Sequence, residues 1–256
     1  MKIYERYELT KALGDPKLPL YVGLECEIES CNTLVKWNIP DVIEVHEDNS
    51  LRNMGKEFIT PPDTVEKALD SFAGLHKGLM FYNKEQAFSD RTSIHVHANC
   101  KNLDEATVKN IVLWYALFEE AFFRMVKPVR RDNIHCVALT DTPLPSAYYR
   151  TELRSIHSRW SKYTALNISP LNRLGTIEFR HMHGHDDPVL MEQWLFLISN
   201  LFDLGKTTPI APELLTEEKI QQTYERLFAG TPVLSAYPKA SVFTDNTIID
   251  VKLSFI

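Results

Sequence analysis

The chain has 256 residues, of which 44% are hydrophobic and 24% are charged, and its formal net charge is −6 at pH 7. This composition is ordinary for a soluble globular protein, and the length fits one large domain or two modest ones. No run of Lys or Arg exceeds two residues. This excludes a broad basic surface for non-specific nucleic-acid binding but leaves a local basic groove open.

The thiols and the lack of long apolar segments predict a cytoplasmic protein. The cysteines show no CxxC spacing, and two of them lie in predicted strands, which favours buried reduced thiols over a disulfide framework. The N-terminus lacks the apolar run of a secretory signal, and no window approaches 18 uninterrupted apolar residues. We therefore expect no association with a membrane.

The first strong strand pattern covers residues 20–30. Apolar residues occupy the even positions, while Glu25, Glu27 and Glu29 share the opposite face. Three carboxylates in a row on one face of a strand are unusual, because like charges repel one another.

Two short strands follow at residues 42–46 and 56–60, with a turn-rich acidic segment between them. Asp63 then offers an N-cap for a helix predicted over residues 64–77. The polar face of the second short strand carries Glu57.

Residues 93–99 form another alternating strand, with His95, His97 and Asn99 on its polar face. Residues 103–127 are the strongest helix signal in the chain, and their heavy apolar load requires packing against a sheet or another helix.

Two further strands are predicted at residues 163–169 and 175–183, and the second places Thr176, Glu178 and Arg180 on one face. Helices are expected from Pro188 to about residue 204 and over residues 213–228, with a linker between them. The fold class is therefore α+β, with mainly antiparallel strands and helices on one side of the sheet.

The polar faces of these strands collect acidic and imidazole side chains. Packed carboxylates are unstable unless they protonate, pair with cations or coordinate metals, and Arg180 cannot neutralise them all. Oxygen-rich ligands with one added imidazole suit Mg²⁺ or Mn²⁺. Neither a GxxxxGK[ST] nor a GxGxxG motif occurs, so P-loop and Rossmann nucleotide binding are unsupported.

Five motifs in order resemble those of the amidoligase family, the carboxylate–amine ligases related to glutamine synthetase and glutamate–cysteine ligase. They lie at residues 23–27, 47–58, 93–97, 163–167 and 175–180. The resemblance covers about residues 20–200. It implies a curved antiparallel sheet that forms an active-site bowl, with helices behind it as in glutamine synthetase, and ATP with Mg²⁺ in the bowl.

The resemblance also implies roles for individual side chains. The implied metal ligands are Glu25, Glu27, Glu57, His95 and Glu178. His97 would lie near the nucleotide or substrate, and Arg180 would hold the transferred phosphate. Lys162 and Asn167 would contact the nucleotide or its phosphates, and Asp48 would contact the amine substrate or a metal.

The implied reaction activates a carboxylate as an acylphosphate, which an amine then attacks to form an amide or peptide-like bond. Residues 1–206 would form the catalytic domain, and residues 207–256 a C-terminal helix and tail packed on it. The substrates would be small-molecule or peptide acids and amines, with nucleic acid relevant only as a modified base. The oligomeric state is open.

Two other functions fit the same residues. One is a metal-dependent hydrolase or phosphoesterase that uses the carboxylate and histidine face on water. The other is a binding or assembly protein with vestigial ligands, against which the retention of four carboxylates and Arg180 argues. His181, His183 and His185 depart from the family pattern and suggest either a different substrate pocket or a zinc-like site.

Overall fold

The computed structural model describes residues 1–10, 20–32, 39, 42–142, 152–157, 160–245, 247–253 and 255. Within residues 150–161, residues 153–157 form a short helix, and residues 150, 151, 158 and 159 lie outside the described part.

An open sheet of seven strands forms one layer of the described fold. Its strands are β1 (Tyr21–Ile28), β2 (Glu44–Glu47), β3 (Lys56–Ile59), β4 (Asp63–Thr64), β5 (Ser93–Asn99), β6 (Leu166–Asn167) and β7 (Thr176–His183). The strand order is β2-β3-β1-β5-β7-β6, with β4 also paired to β1, and every strand pair is antiparallel. The prediction of a mainly antiparallel α+β fold is confirmed.

The helices make the second layer. They are α1 (Ile3–Arg6), α2 (Val65–Gly78), α3 (Glu105–Phe123), α4 (Leu153–His157), α5 (Pro188–Thr207), α6 (Glu217–Leu227), α7 (Pro232–Ala236), α8 (Ser241–Thr244) and α9 (Thr247–Leu253). No helix in the described part of the chain is both long and apolar enough to cross a bilayer.

Alternation along β1 separates the two faces of the sheet. Val22, Leu24, Cys26 and Ile28 are at most 1% exposed and lie on the face that the helices cover, because successive strand residues point to opposite sides. From β7, Phe179 contacts aromatic rings of α3 and α5 on the same side. The acidic residues of β1 are thereby held on the opposite, polar face.

A β-bulge interrupts β7 beside the polar face. Ile94 pairs with Met182 and Val96 with Phe179, so β7 advances three residues where β5 advances two. The extra residue breaks the alternation, and consecutive residues His181 and Met182 are both fully buried. The prediction of strict alternation through residue 183 is therefore wrong beyond Arg180.

The C-terminal helices pack on α3. The Phe118 and Tyr224 ring centroids are 5.9 Å apart, and the Thr247 hydroxyl donates to the Leu117 carbonyl at 2.9 Å. These contacts bury apolar surface of α3 that the sheet leaves uncovered. The division of the chain at residue 206 stays a prediction.

Three local predictions need correction. Thr64 rather than Asp63 caps α2, because its hydroxyl accepts from the Lys67 amide, while Asp63 accepts from Thr64 itself. The strand predicted at residues 163–169 shrinks to β6, since residues 164–168 are all buried and pack inside the fold instead of alternating. The helix predicted over residues 103–127 covers Glu105–Phe123, and that over 213–228 covers Glu217–Leu227.

All four cysteines are free and buried, as predicted. Burial raises the pKa of Cys31 to about 12 and that of Cys136 to about 11, so these thiols are protonated at neutral pH. They act as small apolar side chains of the core.

Candidate active site

Three side chains from three neighbouring strands meet on the polar face. Glu25 of β1 lies directly across from His95 of β5, and His95 Nδ1 is 3.2 Å from Glu25 Oε2 and 3.4 Å from Glu178 Oε1 of β7. His95 is only 3% exposed. One imidazole nitrogen is therefore shared between two carboxylates.

His97 extends this contact along β5. Its Nε2 atom is 3.1 Å from Glu25 Oε1, and its Nδ1 atom is 3.0 Å from the Thr176 hydroxyl. Burial alone would lower the pKa of His97, but the adjacent Glu25 carboxylate outweighs burial and raises it. His97 thus gains positive character next to Glu25.

Two groups of metal-ligating atoms result from this arrangement. One consists of Glu25, His97 and Glu178, and the other of Glu25, Glu57 and His95; within each group the ligand atoms all lie within 4.8 Å of one another. These are the groups of this kind among the residues that the structure describes. Their five members are called the carboxylate cluster below, and Glu25 belongs to both groups.

The cluster carboxylates have unequal acidities. Burial tends to raise the pKa of Glu25, but the nearby His95 and His97 imidazoles outweigh it and hold that pKa well below its usual value. Burial, followed by the charge of Glu25, raises the pKa of Glu57 to about 7. A cation between these side chains would remove the repulsion that keeps Glu57 partly protonated.

Glu27, a predicted metal ligand, belongs to neither group. Its Oε2 atom accepts from the Ser93 amide at 2.9 Å and from the Ser93 hydroxyl at 2.5 Å. It is nevertheless adjacent to the cluster, because Glu27 and Glu57 are direct partners across β1 and β3. Its predicted role as a ligand stays a prediction.

Arg180 connects the cluster to a neighbouring cavity. One terminal nitrogen contacts Glu178, and Nε donates to the His135 carbonyl at 3.1 Å. The guanidinium thus pairs with a cluster carboxylate while it lines the cavity described next.

Two cavities adjoin the polar face. The first, here called the arginine cavity, has a volume of about 800 Å³, and its walls include Arg91, Arg130, Lys162 and Arg180. The second, here called the second cavity, has a volume of about 650 Å³ and is lined by Glu25, Glu57 and His97, by other polar side chains, and by apolar side chains from several loops and strands: Tyr21, Ile43, Ile59, Pro62 and Leu174. Because Glu27 lines the first cavity and its strand partner Glu57 the second, the two are immediate neighbours.

The remaining predicted site residues lie around this centre. Asn167 is 2% exposed and donates to Glu178 Oε2 at 2.6 Å, so it supports a cluster carboxylate. Lys162 is exposed on the wall of the arginine cavity, above the Tyr163 ring. Asp48 also lines that cavity and accepts from the Ser50 amide at 2.7 Å. Their predicted contacts with substrates stay predictions.

The three unusual histidines do not form a site together. His181 is fully buried and Nε2 lies 2.7 Å from the Tyr115 hydroxyl, which donates to Glu119 at 2.6 Å. Within the described residues no metal-ligating group includes His181, His183 or His185, and none of them lines either cavity. Burial lowers the pKa of His181 to about 3 and keeps its ring neutral.

Two further residues contribute to the site but were not among the predicted site residues. Ser93 holds both Glu27 and His95, the latter with Oγ and Nε2 2.9 Å apart. Ser93 is the first residue on the polar face of the strand predicted at residues 93–99. The alternation therefore gives its position but not its hydrogen-bond partners. Arg130 lies in a short irregular segment with no periodicity, and no sequence signal indicates it.

A family model described as "Putative amidoligase enzyme" matches residues 32–198, about two thirds of the chain. The protein therefore belongs to the amidoligase family, a family of ligases. The matched segment includes four members of the cluster and Arg180, whereas Glu25 and Glu27 precede it. No curated protein matches the chain.

Proposed function

We propose that the protein is an ATP- and Mg²⁺-dependent ligase that joins a carboxylate to an amine through an acylphosphate intermediate. The observation that carries this proposal is the position of the carboxylate cluster, which adjoins one cavity directly and the other through Arg180 and Glu27. The curved bowl of the glutamine synthetase fold is part of the same proposal.

The donor set of the cluster fits Mg²⁺, or Mn²⁺ in its place. Glu25, Glu57 and Glu178 supply hard oxygen ligands, and His95 and His97 supply imidazole nitrogens that Mn²⁺ tolerates well. When bound, such ions would neutralise the charge of nucleotide phosphates during phosphoryl transfer. The chain's contribution is to hold these side chains on four paired strands, β1, β3, β5 and β7, before a ligand arrives.

We assign the nucleotide to the second cavity. Ile43 and Leu174 on its walls are 57% and 40% exposed, which is costly in water and suits contact with the flat face of a base. Lys101 and Arg173 line the same cavity and would attract the phosphates. The phosphate chain would then lead toward His97 and the cluster.

The carboxylate substrate would occupy the arginine cavity. Its oxygen attacks the γ-phosphorus of ATP and ADP leaves; the amine then attacks the acyl carbon and phosphate leaves. Arg180 stabilises negative charge on the transferred group, because a guanidinium fork matches phosphate oxygens. Asp48 on the cavity wall is the candidate contact for the amine, and Lys162 would meet the acid substrate instead of the nucleotide.

Binding of a non-hydrolysable ATP analogue tests the proposal. With Mg²⁺ and the analogue at about 100 times its Kd, mass action should raise the Tm by about 5 °C. The matching activity is ADP release that requires both an acid and an amine. No rise in Tm at millimolar nucleotide would refute it, and phosphoester turnover without an amine would favour the hydrolase.

A further inference from the structure

Arg130 is a buried guanidinium beside the proposed site. It closes the short 3₁₀ turn Pro128–Arg130 and is 2% exposed. Its Nε atom donates to the His181 carbonyl at 3.0 Å and Nη2 to the Arg180 carbonyl at 2.5 Å. Both carbonyls belong to the β7 bulge, so Arg130 clamps the backbone that presents the Arg180 side chain.

These two bonds leave the charge of Arg130 without a direct counterion. A guanidinium has five N–H donors, and its described partners are these two neutral carbonyls and the protonated Cys136 thiol. Glu27 acts on Arg130 electrostatically, but in the described part of the chain no carboxylate oxygen lies within ion-pair distance of it. A buried cation held only by dipoles is costly unless an anion completes its surroundings.

A second guanidinium adds to this excess of positive charge. Arg180 lies next to Arg130, and both line the arginine cavity together with Lys162. Burial in the first place, and then the positive charge of Arg180, lower the pKa of Arg130, while Cys136 and Glu27 partly oppose this shift. Arg180 has the Glu178 carboxylate as a partner, whereas among the described residues no carboxylate pairs with Arg130. An oxyanion in the cavity would compensate both.

We propose that Arg130 is an oxyanion-binding residue of the arginine cavity, which together with Arg180 holds a carboxylate or phosphoryl group of the ligand. The assignment of that group to a ligase substrate rests on the proposed function. The group is either the acid to be activated or the phosphoryl group transferred to it. The anion site itself needs neither ATP nor an amine to be occupied.

The test measures binding of inorganic phosphate and of succinate to the full chain by equilibrium dialysis, without nucleotide. Saturable binding of either is expected at millimolar concentration. Arg130→Gln should weaken it about tenfold or more, because a charge-assisted hydrogen bond is lost. Arg130→Lys keeps the positive charge but lacks the forked geometry of the guanidinium, so a smaller loss of anion affinity is expected. This variant also tests the proposal if the Arg130→Gln protein fails to fold.

Arg124→Gln is the matched control. It removes the same charge from an exposed position on the far end of α3, where the side chain covers the Tyr237 ring, and should leave anion binding unchanged. If phosphate binds more tightly than succinate, the site is assigned to the phosphoryl group. If succinate binds more tightly than phosphate, the site is assigned to the acid substrate.

Two results would overturn the inference: no saturable binding of either anion at tens of millimolar, or unchanged affinity in a folded Arg130→Gln protein. Because these measurements exclude ATP, they leave the test of nucleotide binding independent. A failure of nucleotide binding would in turn leave the anion site intact.

Discussion

The side-chain amide of Asn167 donates a 2.6 Å hydrogen bond to Oε2 of Glu178, and both residues are almost completely buried. The two are direct partners across β6 and β7. This bond turns one carboxylate oxygen away from solvent and leaves Oε1 for His95 and Arg180. A two-residue strand thus fixes the orientation of a cluster member.

Replacing Asn167 with Ala should therefore weaken both stability and metal binding. The unsatisfied Glu178 oxygen should lower the free energy of unfolding by about 1–3 kcal/mol. Loss of the orienting bond should weaken Mn²⁺ binding by about 10–100-fold. Urea unfolding and titration calorimetry measure the two effects. Asn200→Ala, which removes a bond from α5 to the Leu227 carbonyl of α6, should leave Mn²⁺ affinity unaltered; an equal loss there would count against the prediction.

Glu25→Gln should affect metal binding more broadly than Glu57→Gln. Glu25 is shared by the two ligand groups, whereas Glu57 occurs in one. Calorimetry with Mn²⁺ should show weaker binding at every site in the first variant. In the second variant the group of Glu25, His97 and Glu178 should persist. Equal effects of the two substitutions would argue against two groups joined at Glu25.

The contribution of Glu57 to the stability of the metal-free protein should fall as the pH rises toward and through 7. Glu57 has a folded-state pKa of about 7, above that of an unfolded chain, so its protonated form favours folding. This contribution is complete below the unfolded pKa and disappears as Glu57 ionises. The pKa of Glu25 is lowered, so its contribution to stability has the opposite pH dependence and is lost as the pH falls.

Glu57→Gln should accordingly remove this contribution, so the stability of the variant relative to the parent should increase between pH 5 and pH 8. At pH 8 the variant should be more stable than the parent by about 1–2 kcal/mol, after allowance for solvent screening of a half-buried group. Chemical unfolding in a chelating buffer measures this. Glu213→Gln, at an exposed position outside the cluster, should keep the parental pH profile. Parallel profiles for Glu57→Gln and its parent would disprove the assignment.

Tyr115→Phe should destabilise the fold without touching the cluster. The Tyr115 hydroxyl bridges His181 and Glu119, both fully buried. Glu119 keeps the Leu139 and Thr140 donors, but His181 Nε2 loses its partner. We expect a loss of about 1–3 kcal/mol in thermal unfolding. Tyr224→Phe, which frees only the Tyr237 carbonyl, should cost less; a larger cost would contradict this account.

The site faces of β1 and β5 could be read from the sequence, because their alternation of period two is unbroken and one face is fully buried. Glu25, His95 and His97 follow directly from that pattern. The β7 bulge could not be predicted from the sequence, because its extra residue depends on how β7 pairs with β5. The sequence of one strand does not determine its register with a neighbouring strand.

Contacts between residues far apart in the chain could not be predicted from the sequence either. Arg130 reaches β7 from a turn about fifty residues earlier, and Glu27 engages Ser93 through a side chain whose direction alternation does not fix. The role of Asn167 as a support for Glu178 also needs the register of β6 on β7. Residue type indicated the chemistry of this site, but only tertiary structure assigned its partners.

The two halves of this site have different origins in the chain. Every member of the cluster lies on a strand, whereas the arginine cavity is walled mostly by connecting segments, among them residues 48–50, 90–91, 129–135 and 162–163. Loops tolerate insertions and substitutions far more readily than paired strands do. Under the proposed function, the acid substrate would therefore be free to diverge while the proposed ion-binding centre stays constant, and grafting residues 129–135 between relatives would be a direct route to altered selectivity.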